Sequence, residues 1–369
     1  MIDTAVNPPS VDTLSVDSSS RVSGTRAALG DEVAVHLHPQ GIPLFVTPVS
    51  SRLKSDFSAF HAWLVDHEEA VDKLLLEFGA VRFRGFPVKG PEQFRDLMAH
   101  YPSATMGYKG GGSARAEVLG RVMESTRTLS DRFIALHQEM SYQRQWPLKI
   151  AFYSNVAANS GGATTIADIR HFEPKIPQRI RDEVRKRGVL YRRNFRDARV
   201  PVEGVSRQYL NMHRPWQEAF FTEDKAEVES ACEAAGMQWQ WLEDGSLQTD
   251  THKPGFVTHP VLGTSHWFNQ ISNLTSLPPD SRLWYNTLAP EDLQQGKRSS
   301  TEVMFGDGGK IPTADVVLLR QIEGEVVVDE PWQPGEFMLL DNILCNHGRT
   351  PYEGARDTLV QLFGTASNE

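Results

Sequence analysis

The chain has 369 residues, 40% of them hydrophobic and 23% charged, so it is long enough to bury a large core. Its formal net charge of −9 and the lack of a long basic run disfavour a nucleic acid partner. No apolar run approaches the roughly 20 residues of a membrane span, and the N-terminus lacks a secretory pattern. Two cysteines, Cys232 and Cys345, cannot build a disulfide framework. They fit a reducing compartment, so we expect a cytoplasmic protein.

The N-terminal segment, residues 1–34, is rich in Ser, Thr, Asp and Gly without periodicity, which predicts a flexible tail. Residues 35–369 are expected to form one catalytic domain. Apolar residues at helical spacing predict a single helix over about 57–78. The triple glycine within residues 108–120 predicts a flexible connection. Two interpretations remain open there: a plain surface loop, or a lid that carries Arg115 to a substrate.

Extended segments with turn signals follow at 133–140, 149–156 and 161–169, a density that is typical of a β-sandwich or barrel. A helix is predicted over 174–187, and another follows Thr222, which would cap it. Three later segments also have the composition of strands: EVVVDE, GEFMLLD and DTLVQLFG. We therefore expect a mainly β fold with peripheral helices.

An aromatic-rich stretch lies in the second half of the chain, within an insertion at about 196–312. Its large side chains are more often core than pocket, because aromatic residues dominate core burial; they are Trp239, Trp241, Phe256, Trp267 and Phe268. We expect this insertion to set the substrate specificity.

Three pairs of histidine and glutamate are separated by one residue: His67/Glu69, His137/Glu139 and His171/Glu173. Side chains two positions apart share a face only on an extended strand. Apolar, β-forming neighbours place His137 on a strand, whereas His67 lies in a helical pattern and His171 stands just before a helix. The pair at His137 is thus the candidate chelate, and the alternative is a satisfied polar pair on a strand.

The C-terminal stretch NHGRTPYEGAR adds His347 and Arg356. With His137 and Glu139, His347 would hold one Fe(II) through two imidazoles and a carboxylate. Three octahedral positions would stay open for a bidentate 2-oxo acid and then O2. Arg356 could bind the far carboxylate of that acid through charge-assisted hydrogen bonds, and Thr164 could add a hydroxyl. The alternative for Arg356 is a surface ion pair with a neighbouring carboxylate.

Several motifs, in order, resemble the taurine dioxygenase (TauD/TfdA) family of Fe(II)/2-oxoglutarate oxygenases, and most of all its syringomycin-hydroxylase-like subgroup from natural-product biosynthesis. They are HQEMSY, GGATTIAD, the WFNQ at 267–270, FGDG and NHGRTPYEGAR. The resemblance runs over about residues 80–364. It implies a double-stranded β-helix (jelly-roll) core, the three iron ligands named above, and Thr164 and Arg356 on 2-oxoglutarate.

The resemblance also implies a reaction. 2-Oxoglutarate is decarboxylated oxidatively to succinate and CO2, and an unactivated C–H bond is oxidised. Hydroxylation is the default, while desaturation, epoxidation and ring closure use the same ligands. Glu139 stands where taurine dioxygenase has Asp, and Glu in amino-acid-oxygenase relatives favours an amino acid or a derivative as substrate. Any carboxylate at this position argues against halogenation.

Candidate substrate contacts are Arg115, Arg170 and Asn269, with structural roles as the alternative for each. The sequence leaves open whether the small-molecule substrate is free or bound to a carrier protein, and whether the chain forms a homo-oligomer. Two other functions also stay open: a zinc-dependent hydrolase on the same three ligands, and a non-catalytic jelly-roll binding protein.

Overall fold

The structure is a computed structural model that describes residues 28–104, 117–125, 128–201, 203–275 and 290–367. The α-helices in these ranges are α1 (Ser51–Ser55), α2 (Phe57–Asp66), α3 (Glu68–Phe78), α4 (Gly90–Leu97), α5 (Ile169–Phe172), α6 (Gln178–Arg187), α7 (Arg207–Met212), α8 (Trp216–Phe220), α9 (Lys225–Ala234), α10 (Ile271–Leu274), α11 (Pro290–Gln294) and α12 (Thr313–Val326). A 3₁₀ turn spans Glu173–Lys175.

The strands are β1 (Val33–Leu37), β2 (Leu44–Pro48), β3 (Ala80–Phe83), β4 (Glu117–Leu119), β5 (Val122–Glu124), β6 (Ile134–His137), β7 (Gln145–Trp146), β8 (Lys149–Val156), β9 (Ser160–Gly161), β10 (Ile166–Asp168), β11 (Val189–Phe195), β12 (Gln238–Trp241), β13 (Leu247–Lys253), β14 (Phe256–Thr258), β15 (Ser265–Trp267), β16 (Thr301–Phe305), β17 (Phe337–Asp341), β18 (Cys345–Arg349), β19 (Tyr352–Glu353), β20 (Asp357–Phe363) and β21 (Ala366–Ser367).

The largest sheet has eight strands in the order β1-β2-β3-β17-β8-β20-β5-β4. Neighbouring strands in this sheet are antiparallel, except that β2 and β3 are parallel to each other. A smaller sheet has the order β10-β18-β6. The consecutive strands β17 and β18 lie in different sheets, so the chain crosses from the large sheet to the small one at residues 342–344.

One hydrophobic cluster joins these two sheets. It contains Phe152 and Met338, which are direct partners in the large sheet, together with Ile166 and Cys345 from the small sheet. Burying a large apolar side chain contributes about 1.5–3 kcal/mol. The cluster therefore fixes the small sheet against the large one.

Helices cover the opposite face of the large sheet. Because side chains alternate along a strand, Leu339 and its direct partner Val81 face away from Met338. They belong to a second cluster that includes Phe60 of α2 and Leu74 of α3. The central strands of the large sheet are thus buried on both faces, and the hydrophobic periodicity of the two helices matches the surface that they cover.

An accessory sheet of four strands, in the order β12-β13-β11-β16, lies within residues 189–305. It overlaps the predicted insertion, although its first strand begins before residue 196. Of the aromatic side chains assigned to the core, Trp267 and Phe268 are buried, whereas Trp239 is 37% exposed. The core assignment is therefore wrong for Trp239.

The strands predicted at 149–156 and over DTLVQLF are confirmed as β8 and β20. The single helix predicted over 57–78 is instead two helices, because His67 has a non-helical backbone, with φ −110° and ψ 14°. Helices contribute about as many residues as strands across the described ranges. "Mainly β" therefore describes the two joined sheets and not the chain as a whole.

The strand predicted over EVVVDE begins inside a helix. α12 continues to Val326 because its buried Val316, Leu319 and Ile322 follow a helical period, and only Val328 forms a β-bridge, with Ile166.

Two predicted boundaries also shift. Asp224, and not Thr222, caps α9, because its carboxylate accepts a hydrogen bond from the Ala226 amide at 2.8 Å. Leu29 and Val33 are fully buried, so the folded body starts before residue 35. Every helix in the described ranges is too short or too polar to cross a lipid bilayer.

Candidate active site

Three side chains that are far apart in sequence meet on the small sheet. His137 ends β6 and lies directly opposite His347 of β18 in the antiparallel register. One ligand atom from each of His137, Glu139 and His347 lies within 4.8 Å of the other two. The His347 Nε2 and Glu139 Oε2 atoms are 3.5 Å apart, and the two imidazole centroids are 4.3 Å apart. The structure thus brings together the three predicted ligands.

Glu139 reaches this cluster from a turn and not from a strand. β6 stops at His137, because the Asn342 side chain takes the place of a neighbouring strand. Its Oδ1 accepts from the Glu139 amide at 2.7 Å, and its Nδ2 donates to the Glu139 carbonyl at 2.9 Å. Met140 follows with a φ of 57°, which turns the chain away. The expected strand continuation is therefore wrong, although both side chains still reach the same place.

Hydrogen bonding also orients one imidazole. The Nδ1 of His137 lies 2.9 Å from the Ala135 carbonyl oxygen, an acceptor that requires Nδ1 to carry the proton. This tautomer leaves the Nε2 lone pair available. In metal sites the second nitrogen of a ligating histidine commonly donates in this way, which fixes the ring and its basicity.

The cluster is suited to a divalent cation. Glu139 and His347 are 6% and 4% exposed. A carboxylate buried beside two imidazoles is costly unless a cation pairs with it. Two imidazoles and one carboxylate form the ligand set of non-haem Fe(II) oxygenases, with open positions on the metal. The residues present therefore fit iron.

The two predicted cosubstrate residues also lie close together. The Arg356 Nε donates to the carbonyl of Gly162 at 2.8 Å, two residues before Thr164. Gly162 has a φ of 72°, and a Cβ there would come within 3.0 Å of the Arg356 Cδ. Only glycine therefore lets the turn approach this arginine so closely.

Arg356 has no carboxylate partner in the part of the chain that the structure describes, so the predicted alternative of a surface ion pair is wrong. Burial, and after it the neighbouring Arg349, lowers the pKa of Arg356 to about 10. An anion bound at its guanidinium would offset that cost. The site therefore fits the carboxylate of a 2-oxo acid.

The other candidates for substrate contact have different surroundings. Arg170 makes a two-pronged ion pair with Asp168, with its Nη2 at 2.6 Å from Oδ2, and donates to the Leu76 carbonyl at 3.0 Å. Asn269 donates to the Gly255 carbonyl at 2.9 Å and accepts from the Ile271 amide at 3.1 Å. Arg115 lies outside the described residues. Substrate contact stays a prediction for all three, and for Arg170 and Asn269 the bonds seen are structural.

The remaining histidine–glutamate pairs do not converge on a common point. His67 stacks on Trp63 between two helices, while Glu69 forms an exposed ion pair with Lys73 at 2.7 Å. His171 is an exposed residue of the short helix α5. Of the three pairs, only His137 and Glu139 lie together in a potential metal-binding cluster, although Glu139 does so from a turn and not from the strand that the criterion assumed.

Sequence reasoning missed two residues that build this site. Asn342 holds Glu139, as described above. Arg349, on the same face of β18 as His347, donates to the carbonyls of Thr128, Leu129 and Arg132 at 3.0, 2.6 and 2.8 Å. The signals available in the sequence were the Asp-Asn pair at 341–342 and the His-Gly-Arg triplet at 347–349. The hydrogen bonds of Asn342 and Arg349 join positions more than 200 residues apart, so the sequence alone did not reveal their partners.

Comparisons with known proteins agree with this geometry. The model of the family described as "Taurine catabolism dioxygenase TauD, TfdA family" matches residues 42–363. The dapdiamide synthesis protein DdaC of Enterobacter agglomerans is 33% identical over 297 residues, which cover 79% of this chain and 84% of the relative. A clavaminate synthase-like protein of Arabidopsis thaliana is 29% identical over 344 residues, which cover 89% and 95% of the two chains.

Among solved structures, AAD-2 in complex with Mn(II) and N-oxalylglycine covers 91% of this chain and 98% of its own, with a TM-score of 0.49 at 14% identity. That similarity is too low to transfer a ligand. The family match instead favours an oxygenase over the zinc hydrolase and the binding protein that the sequence left open. The chain belongs to the taurine catabolism dioxygenase (TauD, TfdA) family of Fe(II)- and 2-oxoglutarate-dependent dioxygenases.

Proposed function

We propose that this dioxygenase hydroxylates an unactivated carbon of an amino acid or an amino-acid-derived small molecule. His137, Glu139 and His347 hold the iron, and Thr164 and Arg356 hold 2-oxoglutarate. The observation that carries the proposal is the convergence of the three ligand atoms within 4.8 Å in a buried setting. We also infer that the large and small sheets form a double-stranded β-helix. The crossing of β17 into β18 and the cluster shared by the two sheets support that inference.

Each residue has a distinct task in this proposal. When bound, Fe(II) with 2-oxoglutarate and O2 supplies the oxidative decarboxylation to succinate and CO2 and the oxidation of a C–H bond. Glu139 brings negative charge, and Asn342 fixes its backbone from both sides. Ala135 sets the tautomer of His137. Arg356 supplies positive charge where the cosubstrate places its far carboxylate, in a partly buried position that strengthens the pair.

Two observations support the substrate class. A glutamate, and not an aspartate, completes the ligand set, as in the amino-acid-oxygenase relatives that the sequence resembles. The relative that is 33% identical is named for dapdiamide synthesis, which favours a role in making a small natural product. We propose a small-molecule substrate, free or presented by a carrier protein, and a cytoplasmic location.

An anaerobic absorbance titration tests the iron and cosubstrate assignment. Metal-free protein is titrated with Fe(II) and then with 2-oxoglutarate. We expect a weak visible metal-to-ligand charge-transfer band that His347→Ala abolishes. The matched control is His171→Ala, which removes the exposed histidine of another histidine–glutamate pair and should leave the band unchanged. No band in the wild type, or an unchanged band in His347→Ala, would contradict the proposal.

The substrate class requires its own test. Succinate formation from 2-oxoglutarate is measured with each proteinogenic L-amino acid, and separately with the matching amino-acid amides, over the rate without added substrate. Stimulation by one or a few of these compounds is expected, because a correct substrate couples decarboxylation to its own oxidation. Stimulation only by compounds without an amino-acid group would contradict the proposed class.

A further inference from the structure

The hydroxyl of Thr164 has one partner in the described structure, the indole of Trp332. The Trp332 Nε1 lies 3.0 Å from the Thr164 Oγ1, and the two residues are 8% and 5% exposed. Water therefore has little access to this bond. Trp332 belongs to the same apolar cluster as Phe152 and Ile166, which keeps the surroundings of the hydroxyl weakly polar.

The chemistry of the two groups fixes the direction of this hydrogen bond. An indole N–H can only donate, so the Thr164 oxygen must accept. The hydroxyl hydrogen then has to point to a different acceptor. None is found for it within the described ranges. The Thr164 hydroxyl is thus oriented as a hydrogen-bond donor, and its hydrogen is available to an acceptor on a ligand.

Arg82 packs against the face of the Trp332 ring and fixes its orientation. The guanidinium of Arg82 lies 4.1 Å from the centre of the Trp332 ring. Arg82 is 1% exposed and is anchored by Glu336, at 2.5 Å, and by the carbonyls of Glu330 and Pro331, at 3.0 and 2.7 Å. Stacking of a cation on an aromatic face stabilises a ring most when the pair is desolvated. The plane of the indole, and so the direction of its N–H, is fixed by buried contacts.

We propose that Trp332 is a positioning residue for the cosubstrate. Its N–H turns the Thr164 hydroxyl into a donor aimed at the same 2-oxoglutarate carboxylate that Arg356 binds. Thr164 lies two residues after Gly162, whose carbonyl accepts from Arg356. The inference rests on the proposed roles of Thr164 and Arg356, and it assigns Trp332 no contact with the substrate that is oxidised.

The test is an anaerobic titration of the Fe(II)-loaded protein with 2-oxoglutarate, read from the charge-transfer band. Trp332→Phe keeps an aromatic ring and removes the N–H. We expect the Kd for 2-oxoglutarate to rise about 10-fold, the size of one hydrogen bond to a charged group, with unchanged Fe(II) stoichiometry. Thr164→Val should give a similar rise.

The double variant separates positioning from a merely structural effect. If Trp332 acts through the hydroxyl, Trp332→Phe in the Thr164→Val background should cause no further rise in the Kd. A second rise of about 10-fold there, or an unchanged Kd in Trp332→Phe alone, would overturn the inference. Thr164→Ser gives a second check: it should bind 2-oxoglutarate well with Trp332 present and weakly with Phe in its place.

A matched control and a folding control complete the design. Trp216 belongs to a different cluster, and its buried Nε1 has no hydrogen-bond partner among the described residues, so Trp216→Phe should leave the Kd unchanged. If Trp332→Phe does not fold, Trp332→His, which retains a ring N–H, is compared with Trp332→Leu, and only the first should keep the affinity. A wild type without a band would refute the proposed function, whereas a normal band with an unchanged Kd in Trp332→Phe refutes this inference alone.

Discussion

Two partly buried arginines flank strand β10 and have opposite surroundings: Arg170 lies two residues after the strand, and Arg356 bonds to the carbonyl of Gly162, which precedes the strand. At the Arg170 end, comprising Asp168 and Arg170, a carboxylate pairs with the guanidinium at 2.6 Å. At the Arg356 end, comprising Thr164, Trp332 and Arg356, no carboxylate of the described residues forms an ion pair with the guanidinium, which donates to the Gly162 carbonyl. The first end is complete within the protein. The second, we propose, is completed by an anion from outside the protein.

The pKa values express the same contrast. Burial acts to lower the pKa of Arg170, but the hydrogen bonds and charge of Asp168 outweigh it, so the pKa is raised. Burial and the neighbouring Arg349 lower the pKa of Arg356 to about 10, and the opposing charges of Tyr352 and Asp357 do not outweigh them. A partly buried cation without an ion pair, beside residues already predicted to bind the cosubstrate, is a candidate site for an anionic ligand. The same residue type thus stabilises the fold at one end and, we propose, binds the cosubstrate at the other.

The largest expected effect comes from Arg356→Met. Losing two charge-assisted hydrogen bonds to 2-oxoglutarate should raise the KM for 2-oxoglutarate about 100-fold. The free energy of unfolding of the metal-free protein should fall by no more than about 1 kcal/mol, since the hydrogen bond to the Gly162 carbonyl is lost but no ion pair is broken. Steady-state kinetics and urea unfolding measure the two quantities. A loss of stability with an unchanged KM would show that Arg356, like Arg170, has a structural role, and would contradict the proposed cosubstrate role.

The same substitution at the other end, Arg170→Met, should have the opposite profile. It leaves the buried carboxylate of Asp168 without its partner, which should lower the free energy of unfolding by about 2–3 kcal/mol, less than for a fully buried pair because Arg170 is 30% exposed. The KM for 2-oxoglutarate should stay within about twofold of the wild-type value. An increase in the KM of the oxidised substrate would instead support the predicted substrate contact of Arg170.

The smallest effect concerns a third buried cation, Lys253 of the accessory sheet. Its Nζ lies 4.5 Å from the Trp146 ring and has no hydrogen-bond partner in the described ranges. Burial, and after it Arg144, lowers its pKa from 10.5 to about 7. Between these values the unfolded chain binds a proton that the folded chain does not. Its contribution therefore lowers the stability as the pH falls from about 10 to about 7.

Lys253→Met should remove this pH dependence. Between pH 9 and pH 8, the free energy of unfolding of the wild type should fall by about 1.4 kcal/mol more than that of the variant. Urea unfolding at the two pH values measures the difference. Equal pH dependence in the two proteins would show that Lys253 is charged in the folded state, and hence that a partner neutralises it.

Much of the candidate site could be predicted because its residues lie in a few short sequence motifs. A histidine and a glutamate two positions apart, with β-forming neighbours, predicted the candidate chelate, although Glu139 lies in a turn and not on the strand that the prediction assumed. The boundaries of β8 and β20 followed from β-branched and apolar runs between turn residues. EVVVDE failed because a longer helical period in α12 overrode the local β propensity.

By itself, the sequence predicted the three candidate metal ligands, indicated the family and supplied the residue types available to a cosubstrate. Tertiary structure alone decided that Arg170 forms an ion pair while Arg356 forms none among the described residues, that Asn342 holds Glu139, and that Trp332 donates a hydrogen bond to Thr164. Each of these outcomes depends on which hydrogen-bond partner comes within about 3 Å after folding. Except for Asp168, those partners lie far away along the chain, and the packing of the two sheets brings them together.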